Sequence, residues 1–212
     1  IYQLDDKYYL QLADQQLDKE MLVVGDIRYG SSTISKSSGV LTFTKGPNET
    51  LYVTRNNYSE QAVDNAPMAN LLSGSTLAPI SFTFKIEAFG KDTGSYIIDI
   101  TKLLIDGGEL FSFKNYSLIA NPDPTRSAVE RVEAIKNGVA FNVYRSQNNA
   151  ARDYSGKPAE QAFTFHMGLV MQQLSATTMP IQLSDRRIGF EARSFTDFGL
   201  AGYAAKKVNI IK

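Results

Sequence analysis

The only histidine of the chain, His166, limits the catalytic chemistry that the sequence can support. The chain has no cysteine, which excludes a thiolate nucleophile, a disulfide scaffold and a cysteine zinc site. One imidazole also excludes any metal site that needs two histidines from this chain. A Ser-His-Asp triad would have to use His166, but no Gly-x-Ser-x-Gly motif marks a nucleophilic serine. The sequence therefore favours a structural histidine that is hydrogen-bonded on the face of a strand.

The other polar and aromatic residues mark no catalytic or cofactor site. The carboxylates are scattered, so their spacing identifies no pair of acids that would act on a sugar bond. The sequence contains no glycine-rich nucleotide-binding loop. Tyr8, Tyr9 and Tyr58 could stack on sugars, although strands ordinarily use such residues for packing. We predict no catalytic residue, no metal ligand and no cofactor in this chain.

The composition is typical of a globular protein and argues against several classes of function. A chain of 212 residues suits one domain or two small ones. The 22 Lys and Arg balance the 22 Asp and Glu, which argues against binding to nucleic acid. No run of apolar residues is long enough to cross a membrane, so we predict no transmembrane segment. Because the chain begins at Ile1 without a leader, we expect a processed protein or an excised part of one.

Hydrophobic residues recur with a period of two along most of the chain, which is typical of β-strands. Two pairs of such segments flank turn residues and predict hairpins: residues 41–44 with 50–55, and 81–88 with 95–100. Further strands are predicted at residues 7–12, 21–27, 111–119, 139–144 and 163–171. The alternation also predicts which side chains face the core: Phe82, Phe84, Ile86, Ala88, Ile98, Ile100, Phe141 and Val143.

Helices are predicted to be few and short, because helical spacing of apolar residues is rare. Single turns are expected at residues 15–20, 66–72 and 101–105. Asp99 or Thr101 would be the N-cap of the third turn. Residues 127–136 have helical spacing, but they could equally form a strand paired with residues 139–145.

Proline and polar residues predict where regular structure stops. We expect Pro122 and Pro124 to prevent regular structure immediately before residue 127. Two polar stretches, residues 30–39 and 145–161, predict surface loops. The predicted fold class is mainly β, with antiparallel sheets in a sandwich-like or barrel-like arrangement and a few short helices. An α+β fold is the alternative.

Several motifs together resemble one bacterial family of exported proteins. The weaker matches lie at residues 9–12, 16–24, 95–104, 124–127 and 142–143. The more specific ones are residues 165–169 (FHMGL), 179–180 (MP), 184–190 (SDRRIGF) and 194–198 (SFTDF). These stretches are similar to the Met-zincin family of zinc-dependent metallopeptidase-like proteins, and in particular to the domain of unknown function that precedes its catalytic domain.

The resemblance implies a function that belongs to a longer polypeptide. In such proteins a catalytic domain supplies a His-Glu-x-x-His helix, a further histidine and a Met-turn, and one histidine cannot provide that zinc site. The resemblance therefore implies a non-catalytic N-terminal domain of an exported zinc metallopeptidase, in the periplasm, the cell envelope or the secreted fraction. Its implied partner is the zinc peptidase domain of the same polypeptide, which we expect to begin close to Lys212.

The C-terminal part of the chain is predicted to contact that partner. We divide the chain into a β-rich domain, residues 1–183, and a C-terminal segment, residues 184–212. The segment mixes charged and aromatic side chains, as interface hot spots do; the docking candidates are Asp185, Arg187, Phe190 and Asp197. In an inhibitory role, the carboxylate of Asp185 or Asp197 would face the zinc. The alternative is that Asp185 and Arg187 form a salt bridge at a bend between two strands.

Two further functions stay open on the sequence alone. The chain could be a stand-alone binding module of the cell envelope that holds glycan or peptide through its tyrosines. It could also be an enzyme built around His166, which the small number of catalytic-type residues disfavours. A His-Glu-x-x-His motif in the reading frame after residue 212 would support the peptidase-associated function alone.

Overall fold

The secondary structure is mainly β, which confirms the predicted fold class. The computed structural model describes residues 1–29, 36–75, 78–91, 94–106, 121–148, 162–175, 183, 187, 192–199 and 205–211. The strands are β1 Tyr2–Leu4, β2 Lys7–Ala13, β3 Glu20–Tyr29, β4 Lys36–Gly46, β5 Thr50–Arg55, β6 Glu60–Gln61, β7 Ile80–Phe89, β8 Ser95–Asp99, β9 Asn121–Ile135, β10 Gly138–Asn148, β11 Ala162–Gln173, β12 Ala192–Asp197 and β13 Lys206–Ile211. The α-helices are α1 Ala66–Ser75 and α2 Thr101–Asp106. The strand predicted at 111–119 lies outside the described residues.

The chain divides into two compact units, each of which has its own sheet. The first unit comprises residues 1–55 and 80–174, and the second comprises residues 56–79 and 175–212. The first unit contains a ten-stranded antiparallel sheet in the order β1-β2-β8-β7-β5-β4-β3-β11-β10-β9, which curls into a half-barrel. In the second unit, β12 is antiparallel to β13 and parallel to β6. The predicted boundary between residues 183 and 184 stays a prediction.

Alternating side chains from the curled sheet form the core of the first unit. Five of the side chains predicted to face the core are buried: Ile86, Ile98, Ile100, Phe141 and Val143. Successive residues of a strand point to opposite faces, so alternate positions share this interior. The core is closed by large side chains that are almost fully buried, among them Leu12, Phe43, Leu51 and Leu169.

The prediction for β7 is only partly right. Phe82 and Phe84 are half-buried and pack against the edge of the core, with their rings stacked at 5.9 Å between centroids. Ala88, which we predicted to face inward, is exposed. The register between β7 and β8 shifts between Ile86 and Ala88, and such an irregularity breaks the alternation that the sequence suggests.

Strand β9 begins before the point at which proline was expected to prevent regular structure, so that prediction is wrong. Pro122 and Pro124 both lie within β9, which is the last strand of the ten-stranded sheet. A strand at the edge of a sheet tolerates proline, because one side of its backbone has no ladder partner. Hydrogen bonds from Thr125 and then Arg126 lower the pKa of the Asp123 carboxyl between the two prolines. Of the ambiguous residues 127–136, residues 127–135 continue as a strand paired with β10.

The three predicted helical turns are present, with different lengths. Helix α1 extends the turn predicted at residues 66–72, and α2 matches the turn predicted at 101–105. The Asp99 carboxylate accepts a hydrogen bond from the backbone N–H of Thr101 at 2.9 Å, as expected of a residue at a helix start. The first turn is a 3₁₀ helix at Asp14–Gln16, shorter and earlier than predicted.

Helix α2 connects the two ends of the curled sheet. It contacts β2 near one end of the sheet, and β10 and β9 at the other. At its start, Tyr8 of β2 accepts a hydrogen bond from the N–H of Ile100 and donates its own N–H to the Thr101 hydroxyl oxygen at 2.8 Å. Leu103 and Leu104 are buried beneath the helix. The helix therefore links β2 to β9 and β10 across the open side of the half-barrel.

The far end of α2 is held by a buried arginine. Arg145 is only 2% exposed, and its Nε and Nη2 donate to the backbone oxygen of Leu104 at 2.9 and 2.6 Å. The same Nη2 donates to the oxygen of Leu103 at 3.3 Å. These carbonyls belong to the last turn of the helix, where no intrahelical N–H is available. Residue 145 was predicted to begin a surface loop; this is wrong, because strand β10 continues through it.

Burial of the Arg145 guanidinium has an electrostatic consequence. Removal from water lowers the pKa of Arg145 to about 10. The negative charge of Asp106 acts in the opposite direction and limits this decrease. At neutral pH the side chain is therefore still charged, and charge-assisted donors form the stronger kind of hydrogen bond.

We expect Arg145→Ala to lower the free energy of unfolding by about 3–5 kcal/mol, because it leaves buried carbonyls without donors. The measurement is equilibrium unfolding in urea. The matched control is Arg131→Ala, since the side chain of Arg131 is 69% exposed and paired with Glu133 on the surface; its expected cost is below about 1 kcal/mol. Equal losses for the two variants would contradict the role assigned to Arg145.

Candidate functional site

His166 lies on the outer face of the sheet, between two tyrosines from the neighbouring strands. It is opposite Tyr29 of β3 in one pairing and opposite Tyr144 of β10 in the other. The ring centroids of Tyr29 and His166 are 6.2 Å apart in an edge-on arrangement, and those of Tyr144 and His166 are 6.4 Å apart. Tyr29 is 71% exposed. These three rings form a row across three adjacent strands.

A carboxylate from a fourth strand faces the imidazole. Glu130 Oε2 lies 3.2 Å from His166 Nδ1. An ionised carboxylate only accepts hydrogen bonds, so this contact requires the proton on Nδ1. In the neutral imidazole Nε2 is then a bare acceptor. The expected strand-face histidine is thus present, and it has a defined hydrogen-bond partner.

A shift of register in β9 places Glu130 on the outer face. Arg131 pairs with Asn142 of β10, whereas Val129 pairs with the next residue, Val143. Glu130 is therefore the extra residue of a bulge. Without the bulge, strict alternation would set Glu130 and Arg131 on opposite faces. Bulges of this kind change the direction in which side chains point, and they are frequent beside functional sites.

A second shift of register lies on the other side of His166, in β3. His166 pairs with Tyr29, and the next residue of β11, Met167, pairs with Ile27, so Arg28 is the extra residue. The Arg28 guanidinium donates to Asn142 Oδ1 at 2.8 Å and lies 3.2 Å from Asp26 Oδ2. Two bulges therefore lie in the strands around this histidine, and each places a charged side chain on the outer face.

Gly168 gives the Arg28 side chain the space that it occupies. Gly168 lies in β11 between Asp26 of β3 and Asn142 of β10. A Cβ at this position would overlap the guanidinium of Arg28 and the carboxylate of Asp26. We call this set of residues the outer-face cluster; its side chains are those of Asp26, Arg28, Tyr29, Glu130, Asn142, Tyr144 and His166.

The outer-face cluster has the chemistry of a binding surface. It offers rings, hydrogen-bond donors and acceptors, and charges of both signs on one sheet face. Among the residues that the structure describes, no group of three or more metal-ligating side chains converges. The sequence pointed to His166 alone, because only the pairing of β3, β11, β10 and β9 brings the other members together.

A cavity of about 310 Å³ lies at one end of the half-barrel. Core residues such as Leu12, Met21 and Met171 form its floor. The side chains that line it are uncharged. The outer-face cluster combines charge, aromatic rings and hydrogen-bonding groups, so it is the stronger candidate for specific recognition.

The docking residues proposed from the sequence are only partly described. Asp185 and Phe190 lie outside the described residues, and Arg187 is exposed. Asp197 is 7% exposed, and its Oδ1 accepts hydrogen bonds from the N–H groups of Val63 at 3.0 Å and Gly199 at 2.8 Å. These bonds give Asp197 a structural role inside the second unit.

The tyrosines first considered for stacking do not form one platform in β2. Tyr8 and Tyr9 are consecutive residues of that strand, so their rings point to opposite faces. Tyr58 belongs to the second unit. Tyr29 and Tyr144 lie on either side of His166, next to a hydrogen-bonding group.

Comparison with known protein families matches residues 34–212 to a family described as a domain of unknown function, DUF5117. No curated protein and no solved structure matches the chain. None of the described helices is both long enough and apolar enough to cross a membrane.

We expect Asp197→Ala to weaken the second unit locally, by about 1–3 kcal/mol, because two backbone N–H groups lose their acceptor. Hydrogen exchange should become faster at Val63 and Gly199. Asp197→Asn is the matched control, since its side-chain oxygen can still accept both bonds. If hydrogen exchange at Val63 and Gly199 is unchanged in the alanine variant, the structural role of Asp197 is contradicted and the docking role is favoured.

Gly168→Ala should displace Arg28 while leaving the fold intact. The overlapping groups are the ends of the Arg28 and Asp26 side chains, which can move, so we expect the free energy of unfolding to change by less than about 1 kcal/mol. The NMR resonance of the Arg28 Nε–H group should shift, because its hydrogen-bonded position is lost. A Gly168→Ala variant with an unshifted Arg28 resonance would contradict the geometry of the cluster.

Proposed function

The chain belongs to the DUF5117 family of domains, and we propose that it is a non-catalytic domain that packs on the zinc peptidase domain of the same polypeptide and regulates it. The parent would be an exported, metallopeptidase-like protein of the periplasm or cell envelope. The motifs at residues 165–169 and 184–190, with their resemblance to the Met-zincin family, support this parentage.

The observation that carries the proposal is the outer-face cluster. Tyr29 is largely exposed, and the side chains of Glu130 and His166 are 39% and 47% exposed. None of these side chains contributes to the buried core. A half-exposed group of aromatic and charged side chains, arranged by two bulges, is what a protein contact uses as a hot spot.

The composition supports a binding role over a catalytic one. A catalytic zinc site takes three protein ligands, most often with two or three histidines. This chain has one histidine and no cysteine, and carboxylates alone suit Mg²⁺, Ca²⁺ or Mn²⁺ better than zinc. The residues of the chain therefore do not fit a catalytic zinc ion of their own, and the peptidase chemistry would belong to the partner domain.

We expect the purified chain to associate with the separately expressed peptidase domain of the same polypeptide, as measured by isothermal titration calorimetry. The double variant Tyr29→Ala/Glu130→Ala should weaken the affinity at least ten-fold, which equals 1.4 kcal/mol. Tyr2→Ala is the matched control, because Tyr2 is an exposed tyrosine of β1 outside the cluster.

No association at all would refute the proposed function. Association that Tyr29→Ala/Glu130→Ala leaves unchanged would refute the assignment of the contact to the cluster. Arg187→Ala in the same titration tests the docking role of the C-terminal segment, which for Asp185, Arg187 and Phe190 stays a prediction.

A stand-alone binding module of the cell envelope is the second candidate. The observation that favours it is the pair of tyrosines beside His166, because aromatic rings next to hydrogen-bonding groups also suit sugars. Binding of the chain to insoluble peptidoglycan in a sedimentation assay, without affinity for the peptidase domain, would support this candidate over the first.

A further inference from the structure

The outer-face cluster includes acceptor groups that further donors can reach. One Glu130 oxygen faces His166, and the side chain of Glu130 stays 39% exposed, so the carboxylate can accept further bonds. In the tautomer that donates Nδ1–H to Glu130, Nε2 is an acceptor. Both tyrosine hydroxyls can also accept. A ligand that supplies several donors would satisfy this surface.

The positive charge of the cluster is already engaged. The Arg28 guanidinium lies between Asp26 and Asn142. The neighbouring Arg131 is paired with Glu133 at 2.7 Å. With a neutral His166, the formal charge of the cluster is negative by one, and the unbalanced charge is that of Glu130. Electrostatic complementarity therefore favours a cation over an anion at this position.

The aromatic rings favour the same kind of ligand. A guanidinium or ammonium group is attracted to the face of a tyrosine ring, and arginine uses this contact more often than lysine. Arginine also stacks its planar group on rings while it donates two parallel hydrogen bonds to a carboxylate. Tyr29 and Tyr144 supply the rings on either side of His166, and Glu130 supplies the carboxylate that faces the same imidazole.

We propose that the outer-face cluster is a binding site for a basic side chain of a protein partner, with arginine preferred over lysine. The guanidinium would pair with Glu130 and contact the rings of Tyr29 and Tyr144. The site adds a contact to the proposed function, and the identity of the partner rests on that proposed function. The peptidase domain would then present a surface arginine to this face of the sheet.

The test is an NMR titration of the full 212-residue chain with Nα-acetyl-L-arginine amide. We expect saturable shifts at His166, Tyr29 and Tyr144, with weaker binding of the lysine analogue. The citrulline analogue, which has nearly the same shape but no charge, should bind at least five-fold more weakly. Backbone spectra of each variant establish that it is folded before its affinity is compared.

Glu130→Gln should weaken arginine binding at least five-fold while preserving the fold. Glu87→Gln is the matched control, because it removes the same charge from an exposed position in β7. An adventitious charge effect would lower the affinity equally in both variants and would overturn the proposal. Equal affinity for the arginine and citrulline analogues would also overturn it. So would a titration in which cellohexaose shifts the NMR signals of the cluster and the arginine analogue does not.

The titration separates this site from the proposed function, because the peptidase domain is absent from it. Saturable arginine binding that depends on Glu130, combined with no association with the peptidase domain, would uphold the site and refute that partner. Association without any arginine binding would uphold the proposed function and refute the site.

Discussion

A buried charge on one strand fixes the architecture of the first unit. The guanidinium of Arg145 binds the last carbonyls of α2, while Tyr8 binds the start of the same helix. The contacts at the two ends of α2 therefore connect β2, next to one end of the sheet order, with β10, next to the other end. Burial of a charge is costly, and here the cost is offset because the same group satisfies carbonyls that no other helical N–H can reach.

The outer-face cluster depends on the contacts of α2 with β2 and β10, although it lies on the other side of the sheet. Tyr144 and Arg145 are adjacent in β10, so one points outward to His166 and the other inward to the helix. The position of β10 relative to β2 thus also sets the position of Tyr144. Rigid elements hold binding groups more accurately than loops do, and each member of the cluster lies on a strand.

Alternation of apolar residues was enough to predict a mainly β fold, because period two follows directly from strand geometry. Alternation did not predict three other features of the structure. The bulges at Arg28 and Glu130 depend on the length mismatch between paired strands, which a single segment does not reveal. The burial of Arg145 contradicts the usual exposure of arginine, and its reason is a helix 41 residues away in sequence. Pro122 fits its strand only because that strand is at the edge.

The discontinuous second unit has a consequence for biosynthesis. Its two-residue strand β6 pairs in parallel with β12, and the Val63–Asp197 bond joins residues 134 positions apart. A ribosome adds about 5–20 residues per second, so residues 56–79 emerge on the order of ten seconds before their partners. Along the chain, the last strand of the ten-stranded sheet is β11, which is made before β12. During translation β6 therefore lacks its parallel partner, and residues 56–79 stay accessible to proteases and chaperones until β12 is made.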